Sequence, residues 1–409
     1  MKSLHQCWRW YGPNDPVKLS DIQQAGATGL VHALHHIPVG EVWSVEEIRQ
    51  RQQLIQSQSK ILAWEVVESV NVHESIKLGL ADRDHYIVQY QQTLRNLSAC
   101  GITTACYNFM PALDWTRTAL DYTLANGAKA LRFDWVALAA FDLYILKRPN
   151  AMYTYSHQVR SLADEYFFQL SEREKEILQH SILAGLPGTT DVLSLEEFEA
   201  HLDRYKEMDA ERLKENLRYF LQQVIPVAEA CGIKMCIHPD DPPYPIFDLP
   251  RIVSTEEDLT FIVNAVDSPA NGITFCTGSL GPNAANDLAG IVERLGYRIH
   301  FVHLRNIQRQ EEDSFYEAEH LGGDVDMLGV MQALVRESIK RKKAGSSDYQ
   351  LPFRPDHGHQ MLDDLQKDII FPGYSAIGRL KGLAELRGMG MAVEQYEWQK
   401  MTVDSEVAD

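Results

Sequence analysis

The stretch Leu351-Pro-Phe-Arg-Pro-Asp-His-Gly-His-Gln-Met361 carries a short strand-like run into an acid–histidine pair, Asp356-His357. Gly358 follows, and glycine there lets the backbone turn sharply because it has no Cβ to clash. Arg354 and Asp356 stand two apart, so on a strand their side chains share a face. One strand end thus offers a metal-capable carboxylate, a titratable imidazole and a fixed positive charge. Two ionisable groups between a proline and a glycine are hard to explain by packing. Three earlier runs end in the same way: Lys234-Met-Cys-Ile-His238, Ile273-Thr-Phe-Cys276 and His300-Phe-Val-His303. The expectation is that these four ends converge on one metal.

Working outward, strand-like and helix-like runs alternate along the chain. Strands are expected at Gln6–Tyr11, Gly29–His36, Ile61–Ser69 and Thr103–Asn108, and later at the four runs above. Helices are expected between them, with capping-box spacings at Ser44/Glu47 and Thr255/Asp258, one helix over about 210–230, and a last one over about 374–387. Between 112 and about 208 the alternation stops and the reading is mostly helical, an insertion after the fourth strand with its own packing or a lid role. Eight strands interleaved with helices argue for an α/β fold, a (β/α)8 TIM barrel, whose chemistry sits at the C-terminal strand ends. We therefore expect residues 1–409 to form one barrel domain with a helical insertion at about 112–208.

The bulk numbers exclude several classes. A chain of 409 residues with 45% hydrophobic residues has material for a large core. Its formal net charge of −18 disfavours nucleic acid and anionic membrane as partners, because no basic surplus exists to neutralise phosphates. No apolar run approaches membrane-spanning length, and the start lacks an apolar signal core. The six cysteines form no CxxC pair. These features together predict reduced thiols and a cytoplasmic protein. No GxGxxG opens a helix after a strand.

His238, Cys276, His303 and Asp356 offer two imidazoles, a thiolate and a carboxylate. That mixed set suits a borderline first-row ion such as Fe2+, Mn2+ or Zn2+, and the thiolate argues against Mg2+ and Ca2+. A lone strand-end histidine is more often structural, and a lone buried cysteine more often a small hydrophobe, so each ligand stands on the set rather than on itself. His359 is open as ligand or as supporting group. Arg305 and Arg354 are candidates to grip an anionic substrate, and Glu68, Asn108, Arg9 and His36 to bind its hydroxyls. From this chemistry alone the reading is a metal-dependent barrel enzyme with its reaction open.

Further stretches then narrow it. They are Trp8-Arg-Trp-Tyr-Gly-Pro13, Ala33-Leu-His-His-Ile-Pro38, Tyr107-Asn-Phe-Met-Pro111, Asp114-Trp-Thr-Arg117, His238-Pro-Asp-Asp-Pro-Pro243, Cys276-Thr-Gly-Ser279, His303-Leu-Arg305 and Gly373-Tyr-Ser-Ala-Ile-Gly-Arg-Leu-Lys381. With the opening stretch they closely resemble the bacterial D-mannonate dehydratases, within the larger xylose-isomerase-like barrel group, from about residue 7 to about 395. The resemblance implies a lyase that converts D-mannonate to 2-keto-3-deoxy-D-gluconate and water in hexuronate breakdown, with one Fe2+ or Mn2+ per chain and no nicotinamide. It places the metal on His238, Cys276, His303 and Asp356, and the acid and base on His357 and Tyr374, without saying which is which. It also suggests a homo-oligomer, a dimer by preference, with a small sugar acid as the substrate.

Overall fold

The computed structural model describes residues 3–185 and 193–407; the loop expected at Gly185-Leu-Pro-Gly188 lies, from 186 on, outside the described residues. Twelve strands are present among them: β1 Leu4–Arg9, β2 Gly29–His32, β3 Ala63–Glu68, β4 Thr104–Tyr107, β5 Ala119–Thr123, β6 Lys129–Phe133, β7 Lys234–Ile237, β8 Asn271–Cys276, β9 Ile299–His303, β10 Ile307–Arg309, β11 Phe315–Glu317 and β12 Leu351–Arg354. Eight of them close a parallel barrel in the order β1-β12-β9-β8-β7-β4-β3-β2, which is chain order around the ring. The fold is thus a (β/α)8 TIM barrel. Closure pairs β12 with β1, Leu351 opposite Leu4.

Local sequence explains the alternation. Each barrel strand is short, and β2, β4, β8 and β9 are buried along their whole length, as expected where helices cover the outside. The Ser44 hydroxyl accepts from the Glu47 amide at 3.1 Å, and Thr255 and Asp258 cap their helix reciprocally. The helix Ala210–Ala230 buries Leu213, Leu217, Phe220, Leu221, Val224 and Ile225 at helical spacing. Inside the barrel, Cys7, Val31, Val66, Cys106, Cys236 and Phe301 pack together from six strands. All six cysteines are free. Among the described residues no helix is long and apolar enough to cross a membrane.

The structure departs from expectation in three places. β2 ends at His32, so His35 and His36 stand in the following loop rather than on the strand. The last helix runs from Ala376 to Val407, well past 387. The stretch after β4 opens with an antiparallel hairpin, β5–β6, before its helices begin. That hairpin joins a second one, β10–β11, in a four-stranded sheet of order β10-β11-β6-β5, with Phe315 opposite Phe133. Short strands of three to five residues give too few alternations to be read from sequence.

The register sets the site. Cys276 on β8 lies opposite His303 on β9, and His303 lies opposite Arg354 on β12. His238 follows β7 directly and its amide donates to Tyr107 O at 2.8 Å. Gly358 has another role than the sharp turn expected of it, for its φ is not in the left-handed region. A Cβ there would fall on the backbone of Gly378 and Arg379, and a Cβ at Gly378 would fall on the backbone of His359. The two glycines let the loop after β12 lie against the start of the last helix. Gly358→Ala should therefore cost about 1–3 kcal/mol through overpacking. Urea unfolding measures this, and a wild-type midpoint and slope would show the contact to be unimportant.

Candidate active site

His238, Cys276 and His303 bring one donor atom each to within 4.8 Å of one another, a group able to hold a metal ion. His238 Nε2 and His303 Nδ1 are 3.1 Å apart. Asp356 lies beside this group: its Oδ2 is 3.6 Å from Cys276 Sγ and its Oδ1 is 3.8 Å from His303 Nδ1. The far side of each ring is engaged. His238 Nδ1 meets Pro239 O at 2.7 Å. His303 Nε2 lies 3.1 Å from Arg354 Nε and 3.4 Å from Glu68, and the ring rests edge-on against Phe301. At His238 the outer nitrogen is held by a carbonyl while the inner one faces a shared point, which is how proteins prepare an imidazole for a metal; His303 Nε2 stands between a donor, Arg354, and an acceptor, Glu68.

The charges around this point are buried and interlocked. Asp356 lies between two guanidinium groups, with Arg354 Nη1 at 2.6 Å and Arg305 Nε at 2.8 Å. Burial pushes its carboxyl up, but Arg354, His357, Arg305 and His303 together hold it well below the usual range. Glu68 is likewise held low against its burial, first by Arg354 and then by His303. It receives Arg354 at 3.0 and 2.7 Å. Arg305 also binds Asp241 at 2.6 Å and contacts Glu317. Arg117, fully buried, joins the same two carboxylates, Asp241 at 2.6 Å and Glu317 at 2.9 Å. Four carboxylates thus face three guanidinium groups in this cluster and leave one negative charge over. The sulfur of Cys276 beside these carboxylates is a soft donor, so the donor chemistry and the charge both fit a divalent cation.

His357 Nδ1 lies 2.8 and 2.9 Å from the two oxygens of Glu317, and its Nε2 lies 3.0 Å from Tyr374 Oη. Tyr374 is buried against the edge of Tyr11, and burial pushes its phenol well above its usual value. Asn108, His238, Asp356, His357 and Tyr374 share the lining of one small cavity. A larger one of about 340 Å³ adjoins it through Glu68, Asn108, Asp114 and Trp115.

The remaining expected residues fall as follows. Arg9 lines the larger cavity and meets His35 Nε2 at 2.9 Å. His36 turns outward to Glu47 at 3.0 Å with half of its side chain exposed, and His35 takes the inward place. Burial and then Arg9 lower His35 to about 3, so its ring is neutral. His359 bonds the Glu317 carbonyl at 2.8 Å, a supporting position. Arg305 and Arg354 reach the small cavity, but each guanidinium is already bound to protein carboxylates. Sequence reading missed Glu317, Asp241 and His35. The signals were present for two of them, in the tandem His35-His36 and in the Pro-Asp-Asp-Pro loop; Glu317 carried none.

Residues 4–400 match the model of the family described as D-mannonate dehydratase (UxuA). This chain belongs to the D-mannonate dehydratase family. It is 54% identical over 393 residues to a mannonate dehydratase of Chromohalobacter salexigens, covering 96% of this chain and 99% of that one. A mannonate dehydratase of a Marinomonas species is 51% identical over 392 residues, with the same coverage. The crystal structure of mannonate dehydratase from Streptococcus suis serotype 2 matches with a TM-score of 0.75 at 32% identity, over 97% of this chain and 95% of that one. The protein is accordingly an enzyme, a dehydratase of D-mannonate.

Two outcomes follow for the dehydratase. His36→Ala removes only an exposed ion pair, worth about 0–1 kcal/mol, so melting temperature and KM for mannonate should stay at wild-type values; a raised KM would return His36 to the site. The second concerns acid. Asp241 and Glu317 have folded values below their unfolded ones, despite burial, because Arg117 and Arg305 hold Asp241, and Arg305, His357 and Arg117 hold Glu317. Their contribution is fully present above the unfolded carboxylate range, about pH 4, and is lost as pH falls below it. Urea unfolding between about pH 6 and 3 should show wild-type stability falling more than that of Asp241→Asn; equal slopes would refute the pairing.

Proposed function

We propose that the dehydration takes place beside one divalent cation, Fe2+ or Mn2+, on His238, Cys276, His303 and Asp356, with His357 as base and Tyr374 as acid. The observation that carries this reading is the 3.0 Å contact of His357 Nε2 with Tyr374 Oη in the cavity that Asp356 and His238 also line. The C2 proton of mannonate is weakly acidic, because its neighbour is already a carboxylate and deprotonation builds a second negative charge. A bound divalent cation supplies Lewis-acid charge against that build-up.

His357 Nε2 takes the C2 proton. The electron pair left at C2 expels the C3 oxygen, which leaves as water with the Tyr374 proton. Burial keeps that phenol in its protonated form. Across the 3.0 Å contact the proton on His357 then returns to Tyr374, and both groups are restored. The enol tautomerises to 2-keto-3-deoxy-D-gluconate. Arg305 and Arg354 act first on Asp356, since a direct clamp on the anionic substrate would have to displace a protein carboxylate. Asn108, Glu68 and Arg9 line the space in which the hydroxyl groups would lie. The enzyme would work in hexuronate breakdown in the cytoplasm, where free thiols stay reduced, as a homodimer; a single-chain mass in sedimentation would overturn the last point.

The test strips the protein with chelator and restores Fe2+ or Mn2+ without oxygen. Formation of the 2-keto-3-deoxy acid should depend on added metal and be abolished in Asp356→Ala. His357→Asn and Tyr374→Phe should each lower kcat by roughly 10²–10⁴-fold with bound metal unchanged. Full activity of either variant would sink its assigned role, and full activity of the metal-free protein would sink the metal's.

A further inference from the structure

We infer that Glu317 is a positioning residue for the reaction: it decides which nitrogen of His357 carries the proton and aims the other into the cavity. This rests on the reading of His357 as base. Glu317 ends β11, in the small sheet outside the barrel, and its side chain is fully buried. Burial pushes its carboxyl up, yet Arg305, His357 and Arg117 hold it well below the usual carboxylate range. An ionised carboxylate only accepts hydrogen bonds. With both oxygens within 2.9 Å of His357 Nδ1, that nitrogen must donate. The neutral ring then carries its lone pair on Nε2, the atom that faces Tyr374 Oη and the cavity.

The alternative tautomer has its own advocate. Arg305 Nη1 lies 3.2 Å from the same Nδ1, and a guanidinium only donates. Left alone, Arg305 would favour a lone pair on Nδ1 and a proton on Nε2, the form that cannot take a proton from substrate. Glu317 binds Arg305 and Nδ1 together, so it removes that competition and reverses the choice. Its backbone is fixed on both sides: Glu317 pairs with Ile307 across β10–β11, and its carbonyl receives His359 at 2.8 Å. Arg117, which precedes β5, holds the carboxylate from the opposite side at 2.9 Å. Both hairpins of the small sheet therefore contribute to holding one carboxylate behind one imidazole.

The experiment is a double-mutant cycle on the metal-loaded enzyme with Glu317→Gln, His357→Asn and the pair. Each protein is read for kcat, KM for D-mannonate, bound metal and melting temperature, and for the isotope effect with mannonate deuterated at C2. We expect Glu317→Gln to lose at least tenfold in kcat at wild-type KM and metal content, with a larger isotope effect. The double variant should be no slower than His357→Asn, because groups that act through one another are not additive. Losses that multiply, or a Glu317→Gln loss that tracks metal release, would leave Glu317 a merely structural counter-ion. A fully active His357→Asn would instead sink the reading of His357 itself, whereas an inactive His357→Asn beside a normal Glu317→Gln would sink only the positioning role. Should Glu317→Gln not fold, nitrogen-15 NMR of histidine-labelled wild-type protein decides: a proton on Nδ1 of His357 supports the inference, and one on Nε2 overturns it.

Discussion

The position of Asp356 between Arg354 and Arg305 is the constraint from which the rest of the site follows. Removing a carboxylate from water costs several kcal/mol unless it is paired and hydrogen-bonded. Asp356 has two cationic partners, but each partner then needs its own counter-ion. Arg354 takes Glu68, while Arg305 takes Asp241 and Glu317, and those two require Arg117. Burial of one strand-end carboxylate thus propagates into a network that includes β3, the loop after β7, β9, β12 and both hairpins outside the barrel.

Close packing makes room for these charges. Gly278 follows Cys276 closely, and any Cβ there would strike the Arg305 side chain. Gly358 and Gly378 give up their side chains so that the segment carrying His357 can lie on the backbone of the last helix. At Gly373, where φ is +79° and glycine is preferred, the chain turns into Tyr374, and the Gly373 carbonyl receives the Gly358 amide at 2.8 Å. The facing of Tyr374 to His357 is thereby set by backbone contacts rather than by the two side chains alone.

How much of this was legible in the sequence depended on where each residue sits relative to the barrel. Strand ends are marked by β-branched or aromatic runs that stop at a polar residue, so His238, Cys276, His303, Arg354 and Asp356 could be placed on one rim before any coordinates. His36 was misplaced because β2 ends at His32, and beyond a strand end the alternation of faces no longer says which of two adjacent histidines turns inward. Glu317 had no signal of its own. It lies on a three-residue strand, and Arg117, which holds it, is 200 residues away in the chain. Arg305 and Arg354 are recognisable in the sequence as candidates to grip an anionic substrate, but their engagement is not, because that is decided by which carboxylates arrive from other elements.

That engagement bears on how an anionic sugar acid is received. In the cluster of Glu68, Asp241, Glu317 and Asp356 with Arg117, Arg305 and Arg354, the carboxylates outnumber the guanidinium groups by one before any cation is considered. No guanidinium in it stands free to offer a new bidentate bond. The attraction for a substrate carboxylate therefore cannot come from Arg305 or Arg354 as isolated charges. The same arginines that look like substrate clamps in sequence act first on Asp356 and Glu317, fixing the donor set and the imidazole as one electrostatic unit. Because Arg305 touches Asp356, Asp241, Glu317 and His357 alike, changes to the metal side and to the acid–base side of this site are physically coupled through a single side chain.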